Sequence, residues 1–565
     1  MGVIAETVAN VQNTLLAICP PGLHQPVAHV TSVITRHCEP YFRAEAYEPW
    51  ELVIVGFLFG VVLLWLRGLA VQAGSAGVVR AGFRVFRSLP GIKSMIDKEK
   101  KKMRASLYES RKTIGTPLLQ LPQAGMSAEA VLQLATARAA GDVQVEDGCS
   151  HMSGSVYIGS SVHRQMLTDV FTMFSTTNPL HADAWPSIRQ MEAEVVAMTA
   201  SMLGGGPSSV CGSVSSGGTE SILLAMKASR DWAAAKRGVR QPEIIIARSA
   251  HAAYFKAAEY FAMKLVVVQP GKDLRLSGST VRRALTRNTA VVVASAPCFP
   301  HGVVDAVEDI AQVCRRAGVC LHVDACLGGF VLPFAHKLGY PIPGFDFSVP
   351  GVTSMSVDTH KFGLAHKGSS VVLYASPELR AHQFTSITDW SGGLYISPTM
   401  AGSRPGALIA TAWAAMMAMG EEGYLATTRR LMEAATRFRE GVQQIPELQV
   451  LGHPDMCLVA FAAARKSSVN VYKLKDLMTA KHWSLNALQQ PAALHFCFTA
   501  AHVNGKTDVV AQLLEDLKEG VKTLVANPEA VSGGSAPMYG MSNVTPDRGM
   551  IAEFLVAYQD VMLAP

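Results

Sequence analysis

Between Glu243 and Phe330 the chain repeats one unit: a short uninterrupted apolar run, then a longer mixed stretch. The runs are Ile244-Ile245-Ile246, Leu265-Val266-Val267-Val268, Val291-Val292-Val293-Ala294-Ser295 and Leu321-His322-Val323-Asp324. A strand with one face in water alternates polar and apolar residues, so unbroken runs belong to strands covered on both faces. Such strands separated by helical text predict a mostly parallel sheet with helices on either side. Ligands of these sheets collect beyond the carboxyl ends of the strands. His251, Asp324 and Lys361 all fall at such ends.

The stretch around Lys361 reads Ser356-Val357-Asp358-Thr359-His360-Lys361-Phe362-Gly363-Leu364-Ala365-His366-Lys367-Gly368-Ser369-Ser370, and a strand-like run, Val371 to Tyr374, follows. A lysine flanked by His and a Gly-containing turn suits Schiff-base chemistry, for which a partly desolvated amine must shed its proton. Two solvated surface lysines are the plain alternative. Upstream, Cys211-Gly212-Ser213-Val214-Ser215-Ser216-Gly217-Gly218-Thr219-Glu220-Ser221 opens the helical pattern from Ile222. Its glycines let backbone N–H groups approach an anion, and Ser216 and Thr219 add hydroxyl donors. It is neither GxxxxGK[ST] nor GxGxxG, so a nucleotide is not indicated. Tyr157 follows a Gly/Ser turn, and Asn178-Pro179-Leu180-His181 offers Asn and His from a loop whose prolines forbid a long helix.

At 565 residues the chain exceeds one simple core. Hydrophobic residues make up 49% and charged ones 17%, and part of that excess is local: Leu52 to Leu66 is uncharged, between Trp50-Glu51 and Arg67. Extended over residues 51–71, this run approaches the roughly 20 residues that span a bilayer, and a buried core helix fits its Trp and Arg flanks less well. Twelve Lys/Arg against three acids from Arg67 to Lys112 place everything after it in the cytosol by the positive-inside tendency. No aromatic platform accompanies those charges, so nucleic acid is not an expected partner. The ten cysteines form no CxxC pair, which argues against zinc and a disulfide framework; Cys19 and Cys38 lie before the apolar run, and their pairing stays open. No metal site is expected.

A helix-opening phosphate turn, a ring-stacking His251, a strand-end Asp324 for a pyridine nitrogen and an amine at Lys361 are the parts that hold pyridoxal phosphate. Their order along the chain matches the aspartate-aminotransferase-like, fold type I, arrangement of α/β enzymes, with a smaller C-terminal α+β domain. From about Ser153 onward the sequence also closely resembles the sphingosine-1-phosphate lyases, relatives of the group II decarboxylases. The motifs that carry the resemblance are NPLH (178–181), MEAEV (191–195), SSGGTESI (215–222), SAPCFPHGVVD (295–305), HVDACLGGF (322–330), SVDTHKFGLAHKGSS (356–370) and SPTMAGSRPG (397–406). Departures are Phe362, where that family commonly has Tyr, and Leu364-Ala365-His366, where it has Tyr-Ala-Pro.

The resemblance implies Lys361, His251, Asp324, Lys367 and Tyr157 as catalytic residues. It implies a cofactor phosphate held around Ser216, Gly217, Gly218, Thr219 and His360, with Ser403 nearby. A substrate-phosphate pocket of Tyr157, Asn178, His181, Lys367, Tyr395 and Arg404 is implied too, with Tyr395 and Ser403 lent by a neighbouring subunit of a homodimer. The implied reaction is retro-aldol cleavage of a phosphorylated sphingoid base into a long-chain aldehyde and phosphoethanolamine; its base stays open among Lys361, His181, Tyr157 and the cofactor phosphate. An amino-acid decarboxylase on the same fold is the alternative, and it would need a carboxylate site in place of the NPLH and Lys367 cluster. The implied organisation is a lumenal segment (1–50), an endoplasmic-reticulum membrane anchor (51–71), a basic cytosolic linker (72–150), a catalytic domain (151–410), a small domain (411–530) and a tail (531–565).

Overall fold

The apolar runs pair in parallel, as their continuity requires. The computed structural model of the protein describes residues 116–143, 151–206, 209–531 and 548–564, with scattered positions between 93 and 105. Its central sheet has seven strands: β1 Cys211–Ser215, β2 Glu243–Ala247, β3 Lys264–Val268, β4 Thr289–Ser295, β5 Cys320–Asp324, β6 Ser354–Val357 and β7 Ser370–Tyr374. They lie in the order β1-β7-β6-β5-β4-β2-β3. Only β7 opposes its neighbours, pairing antiparallel with both β1 and β6. Six carboxyl ends therefore share one edge. In register there, Ser295 stands beside Asp324 and Asp324 beside Ser356.

Both faces of this sheet are covered. On β2, Ile245 and Ala247 join one apolar cluster while Ile244 and Ile246 join another. Helices α1 (Ser161–Phe174) and α2 (Pro186–Met202) contribute to the first cluster; α3 (Gly218–Arg237) and α4 (Ala253–Tyr260) build much of the second. Each fully buried Ile or Val contributes roughly 1.5–3 kcal/mol relative to exposure. The carboxyl edge can therefore carry costly polar groups.

Two strands depart from the expectation. Cys211 to Ser215, read as the start of the turn, is strand β1, and the turn proper begins at Ser216. Ser354 to Val357, which holds two serines and no apolar run, is the buried strand β6. Its serines bind the ring nitrogens of His322: Ser354 Oγ lies 2.9 Å from Nδ1 and Ser356 Oγ 3.2 Å from Nε2. A polar strand is stable inside because its hydroxyls are satisfied.

Beyond the sheet, a short hairpin pairs β8 (Thr385–Ile387) with β9 (Tyr395–Ser397). Helix α5 (Gly406–Gln443) follows, broken at Gly420 where φ is 54°. It leads to an antiparallel sheet of β10 (Leu448–Val450), β11 (Leu458–Ala463), β12 (Asn486–Leu488) and β13 (Ala493–Cys497), ordered β10-β11-β13-β12. Phe438 of α5 packs edge-on against Phe461 and Phe498, with ring centroids 6.0 and 5.5 Å away, and this joins helix to sheet.

Among the described residues, 151–206 and 209–531 belong to one compact unit, and 116–143 and 548–564 to another. In the second unit a helix spans Ala128–Ala139, capped by Ser127, whose Oγ accepts from Ala130 N at 3.2 Å. Lys100 and Arg104 each pair at 3.0 Å with Glu553 and Asp560 of the helix Arg548–Leu563. The expected anchor at 51–71 and the glycine-rich start of the tail at Ser532 lie outside the described residues. Among the described residues no helix is long and apolar enough to cross a membrane.

Candidate active site

The turn between β1 and α3 is shaped for close approach. Gly217 has φ 152°, where a side chain is strained. A Cβ on Gly218 would lie 2.6 and 2.8 Å from the Asp358 carboxylate oxygens and 2.9 Å from Cys326 Sγ. The amide of Ser221 is the first of the helix with a backbone acceptor, giving to Gly217 O at 3.0 Å. The amides of Gly218 and Thr219 are therefore left for an anion, as at any helix start. Ser216 differs: its amide gives to Glu220 Oε2 at 2.6 Å, and Glu220 Oε1 accepts from Met400 N at 2.9 Å. Glu220 thus ties the turn to the loop that carries Ser403. Underneath, Ser215, Ser221 and Ser370 hydroxyls link at 2.7 and 2.9 Å.

Asp324 ends β5 as expected and is buried. Oδ2 accepts from the Tyr254 hydroxyl at 3.1 Å, and Oδ1 from Cys326 N at 3.2 Å and, more weakly, from Ser356 Oγ at 3.4 Å. Burial works to raise its proton affinity, but His251, His322 and the Cys326 bonds outweigh it and hold the carboxyl below its ordinary value. Asp324 is an anion at neutral pH. Burial pushes His322 down to about 4, so that ring stays neutral beneath it. His251 follows β2, its Nδ1 accepting from Ala253 N at 3.1 Å. The partnership of Tyr254 with Asp324, 70 positions apart, has no signal in the sequence.

Lys361 sits in the arc between β6 and β7. Its Nζ is 2.9 Å from Asp358 Oδ2, which also lies 3.6 Å from His360 Nε2. Burial would drive the proton off Lys361, but Asp358, with Cys326 and Asp324 behind it, keeps the amine above its ordinary range. The arc is pinned around it. Ala365 N gives to Thr359 O at 3.1 Å, Tyr424 Oη to Gly363 O at 3.0 Å, and the His163 ring to Leu364 O at 3.1 Å. A Cβ on Gly363 would strike Thr359 O at 2.4 Å. Leu364, one of the departures noted above, has φ 60°.

Lys367 Nζ lies 4.6 Å from the Tyr157 ring centroid and 3.4 Å from His360 O. Burial first, and the Lys361 charge second, lower its proton affinity. Tyr157 is buried edge-on to Phe362, with centroids 5.0 Å apart. Its position is set from the small sheet: Ser153 Oγ accepts from Cys497 N at 3.0 Å and Gly154 N gives to Cys497 O at 2.9 Å. Burial, then the thiols of Cys497 and Cys457, push its hydroxyl pKa well up.

A second cluster gathers at β1. Asn178 Nδ2 gives to Ser403 Oγ at 3.1 Å, and Asn178 Oδ1 accepts from Arg404 N at 3.1 Å. Arg404 forms a two-pronged pair with Glu192, at 2.5 and 2.9 Å, and Glu192 also accepts from Val214 N at 3.0 Å. The Arg404 guanidinium is thus already matched to a carboxylate. Glu192 was legible only as an acidic helix residue. His181 stands apart, exposed, with its ring 6.1 Å from Trp185. Tyr395 lies on β9, its hydroxyl close over Gly402.

Residues 142–464 match the profile described as the pyridoxal-dependent decarboxylase conserved domain. Over 517 residues the chain is 47% identical to a sphingosine-1-phosphate lyase of Arabidopsis thaliana, covering 90% of this chain and 91% of that one. The chain belongs to the sphingosine-1-phosphate lyase family. Another family member, sphingosine-1-phosphate lyase 1 of Rattus norvegicus, is 40% identical over 91% of this chain and 90% of its own. A solved structure of the family, the Burkholderia pseudomallei sphingosine-1-phosphate lyase, aligns with a TM-score of 0.72 at 36% identity, covering 81% of this chain and 99% of that one.

The residues present fit the cofactor in the domain's description. Gly218 leaves no room for a side chain where a phosphate would meet the helix amides. Asp324 is a buried anion able to accept a pyridinium N–H. Lys361 supplies an amine at the same sheet edge.

Proposed function

We propose that this protein is a pyridoxal-phosphate-dependent carbon–carbon lyase that cleaves phosphorylated sphingoid bases, sphingosine 1-phosphate among them, into a long-chain aldehyde and phosphoethanolamine. The observation that carries the reading is the convergence of Lys361, Asp324 and the Gly218 turn at one sheet edge, in a chain of this family. Gly218, Thr219 and His360 hold the cofactor phosphate, with Gly217 giving the turn its shape and Ser216 anchoring it through Glu220. His251 covers the ring, Asp324 accepts its N–H, and Lys361 carries it. When bound, the cofactor supplies an electron-withdrawing ring that accepts the electron pair of the bond being broken.

The remaining residues work on the substrate. Lys367, Tyr157, Asn178, His181 and Tyr395 are assigned to binding a phosphomonoester, whose nearly two negative charges need a cation and several donors. Arg404 acts there through Asn178, whose carbonyl it fixes by its backbone amide.

We further infer a homodimer in which a second copy covers the hairpin of β8 and β9, where Trp390, Leu394 and Ile396 are 57, 85 and 62% exposed. Tyr395 and Ser403 then face a site shared between copies. Residues 51–71 anchor the chain in the endoplasmic-reticulum membrane, with residues 72–150, the catalytic domain 151–410, the small domain 411–530 and the tail on the cytosolic side. The uncharged run Leu52–Leu66 and the basic stretch after it support this placement. A membrane position suits a substrate with one lipid tail.

The deciding experiment incubates detergent-solubilised protein, with and without Lys361→Ala, with sphingosine 1-phosphate. Mass spectrometry then follows aldehyde and phosphoethanolamine together. Equal release of both, lost in the variant, is the expected result. Cofactor binding without either product overturns the substrate assignment.

A further inference from the structure

Asp358 has been described only as a neighbour of Lys361, yet its own placement is unusual. Its side chain is 2% exposed. Oδ2 touches Lys361 Nζ at 2.9 Å, while Oδ1, fully buried, has no hydrogen-bond partner. Both oxygens press against the Gly218 turn, at the positive end of helix α3. A buried carboxylate with an unsatisfied oxygen is costly, and only a charge beside it offsets that cost.

The charged and titratable groups around the pair come from three directions. Lys361 and His360 share its arc, Lys367 follows on the same arc, Cys326 and Asp324 come from the end of β5, and Tyr157 comes from the segment held by β13. Asp324 hydrogen-bonds to Tyr254 and Cys326 and stays anionic, and the oxygen in contact with Nζ is Oδ2 of Asp358, at 2.9 Å. Oδ2 of Asp358 is the oxygen placed to take a proton from the amine.

We propose that Asp358 is the proton partner of Lys361, holding the amine charged in the cofactor-free protein and receiving its proton across the 2.9 Å contact when the amine must become a nucleophile. The transfer moves one proton from Nζ to Oδ2. It converts an ammonium–carboxylate pair into an amine and a carboxylic acid, so the net charge of the buried site does not change. Burial favours the uncharged pair, because neither partner then carries a charge in a site withdrawn from water. Asp358 is thus a positioning residue that acts through Lys361. The inference rests on Lys361 being the amine that carries the cofactor.

The test uses the full-length protein stripped of cofactor. Trace labelling with acetic anhydride across a pH series, read by peptide mass spectrometry, gives a titration midpoint for each lysine independent of its accessibility. In the wild type the Lys361 midpoint is expected above that of Lys367. In Asp358→Asn it is expected to fall by about two pH units, roughly a hundredfold gain in labelling rate at a pH below both midpoints. Lys236 and Lys337, both on the surface, serve as internal controls and should not move. A Lys361 midpoint below that of Lys367 in the wild type, or one unmoved by Asp358→Asn, overturns the proposal. Should the variant not fold, the wild-type comparison decides alone. Borohydride reduction of the cofactor-loaded protein, followed by peptide mapping, separately reports whether Lys361 carries the cofactor, so the two readings can fail independently.

Discussion

Replacing Tyr254 by Phe removes one oxygen from the buried floor of the site and leaves the ring in place. The lost hydroxyl donates to Asp324 Oδ2 at 3.1 Å, and both side chains are buried. A hydrogen bond to a charged group contributes about 1.5–3 kcal/mol. At about 1.4 kcal/mol per pH unit, Asp324 should hold its proton roughly one to two units higher in the variant. The sign follows from the native state. The Asp324 carboxyl lies below its ordinary value, so what its anion contributes is present above the unfolded-state value and is lost as pH falls through the folded one. Deleting the hydroxyl raises the folded value, so the loss begins nearer neutrality. Cofactor retention, followed by visible absorbance after dialysis across a pH series, should show its acid limb displaced toward neutral pH by that one to two units. Retention at neutral pH should change little. An acid limb within about 0.3 unit of the wild type would refute the reasoning that the Tyr254 hydroxyl adds to the stabilisation of the Asp324 anion.

Three further substitutions probe the frame. Gly218→Ala forces a methyl against Asp358 and Cys326, and an overpacking cost of about 1–3 kcal/mol should weaken cofactor binding roughly tenfold or more, measured by equilibrium dialysis. Gly363→Ala drives a Cβ into the Thr359 carbonyl, which cannot swing aside as a side chain would; lyase turnover should drop with the arc distorted, while circular dichroism stays native-like. Glu192→Gln leaves Arg404 uncompensated in a largely buried site, at a cost of about 3 kcal/mol or more. Thermal unfolding should show the loss, and Glu192→Gln with Arg404→Gln should be less destabilised than the single variant.

What the sequence discloses depends on how each part is stabilised. Strands β2, β4 and β5 are held by apolar burial on both faces, which leaves apolar runs that can be read directly, whereas β3 carries such a run at the sheet edge with Val267 exposed. Asp324 could be placed because it ends such a run, and Lys361 because the run Val371 to Tyr374 follows its arc. Strand β6 left no trace, since its stability comes from Ser354 and Ser356 pairing with His322, a contact 34 residues apart at its widest. Strand β1 hid for a similar reason, its Gly and Ser residues resembling the turn that follows. The partners of the site residues were equally silent. Tyr254 meets Asp324 across 70 positions and Arg404 meets Glu192 across 212, and no local pattern encodes either distance. The residues proposed to do the chemistry could be named from the sequence; the partners the structure gives them could not.

The reversal at β7 has a bearing on how this protein can vary. Elsewhere in the sheet a strand reaches its parallel neighbour by a long excursion, which can absorb an inserted or deleted residue far from the edge. The arc that bears Lys361 has no such slack, because Val357 and Val371 are ladder partners and its two ends are fixed to each other. Any change in its length would move the amine itself. Positions on the arc without a role in the site, such as Leu364 and His366, can therefore change identity, whereas an added or removed residue anywhere between 358 and 369 cannot be absorbed.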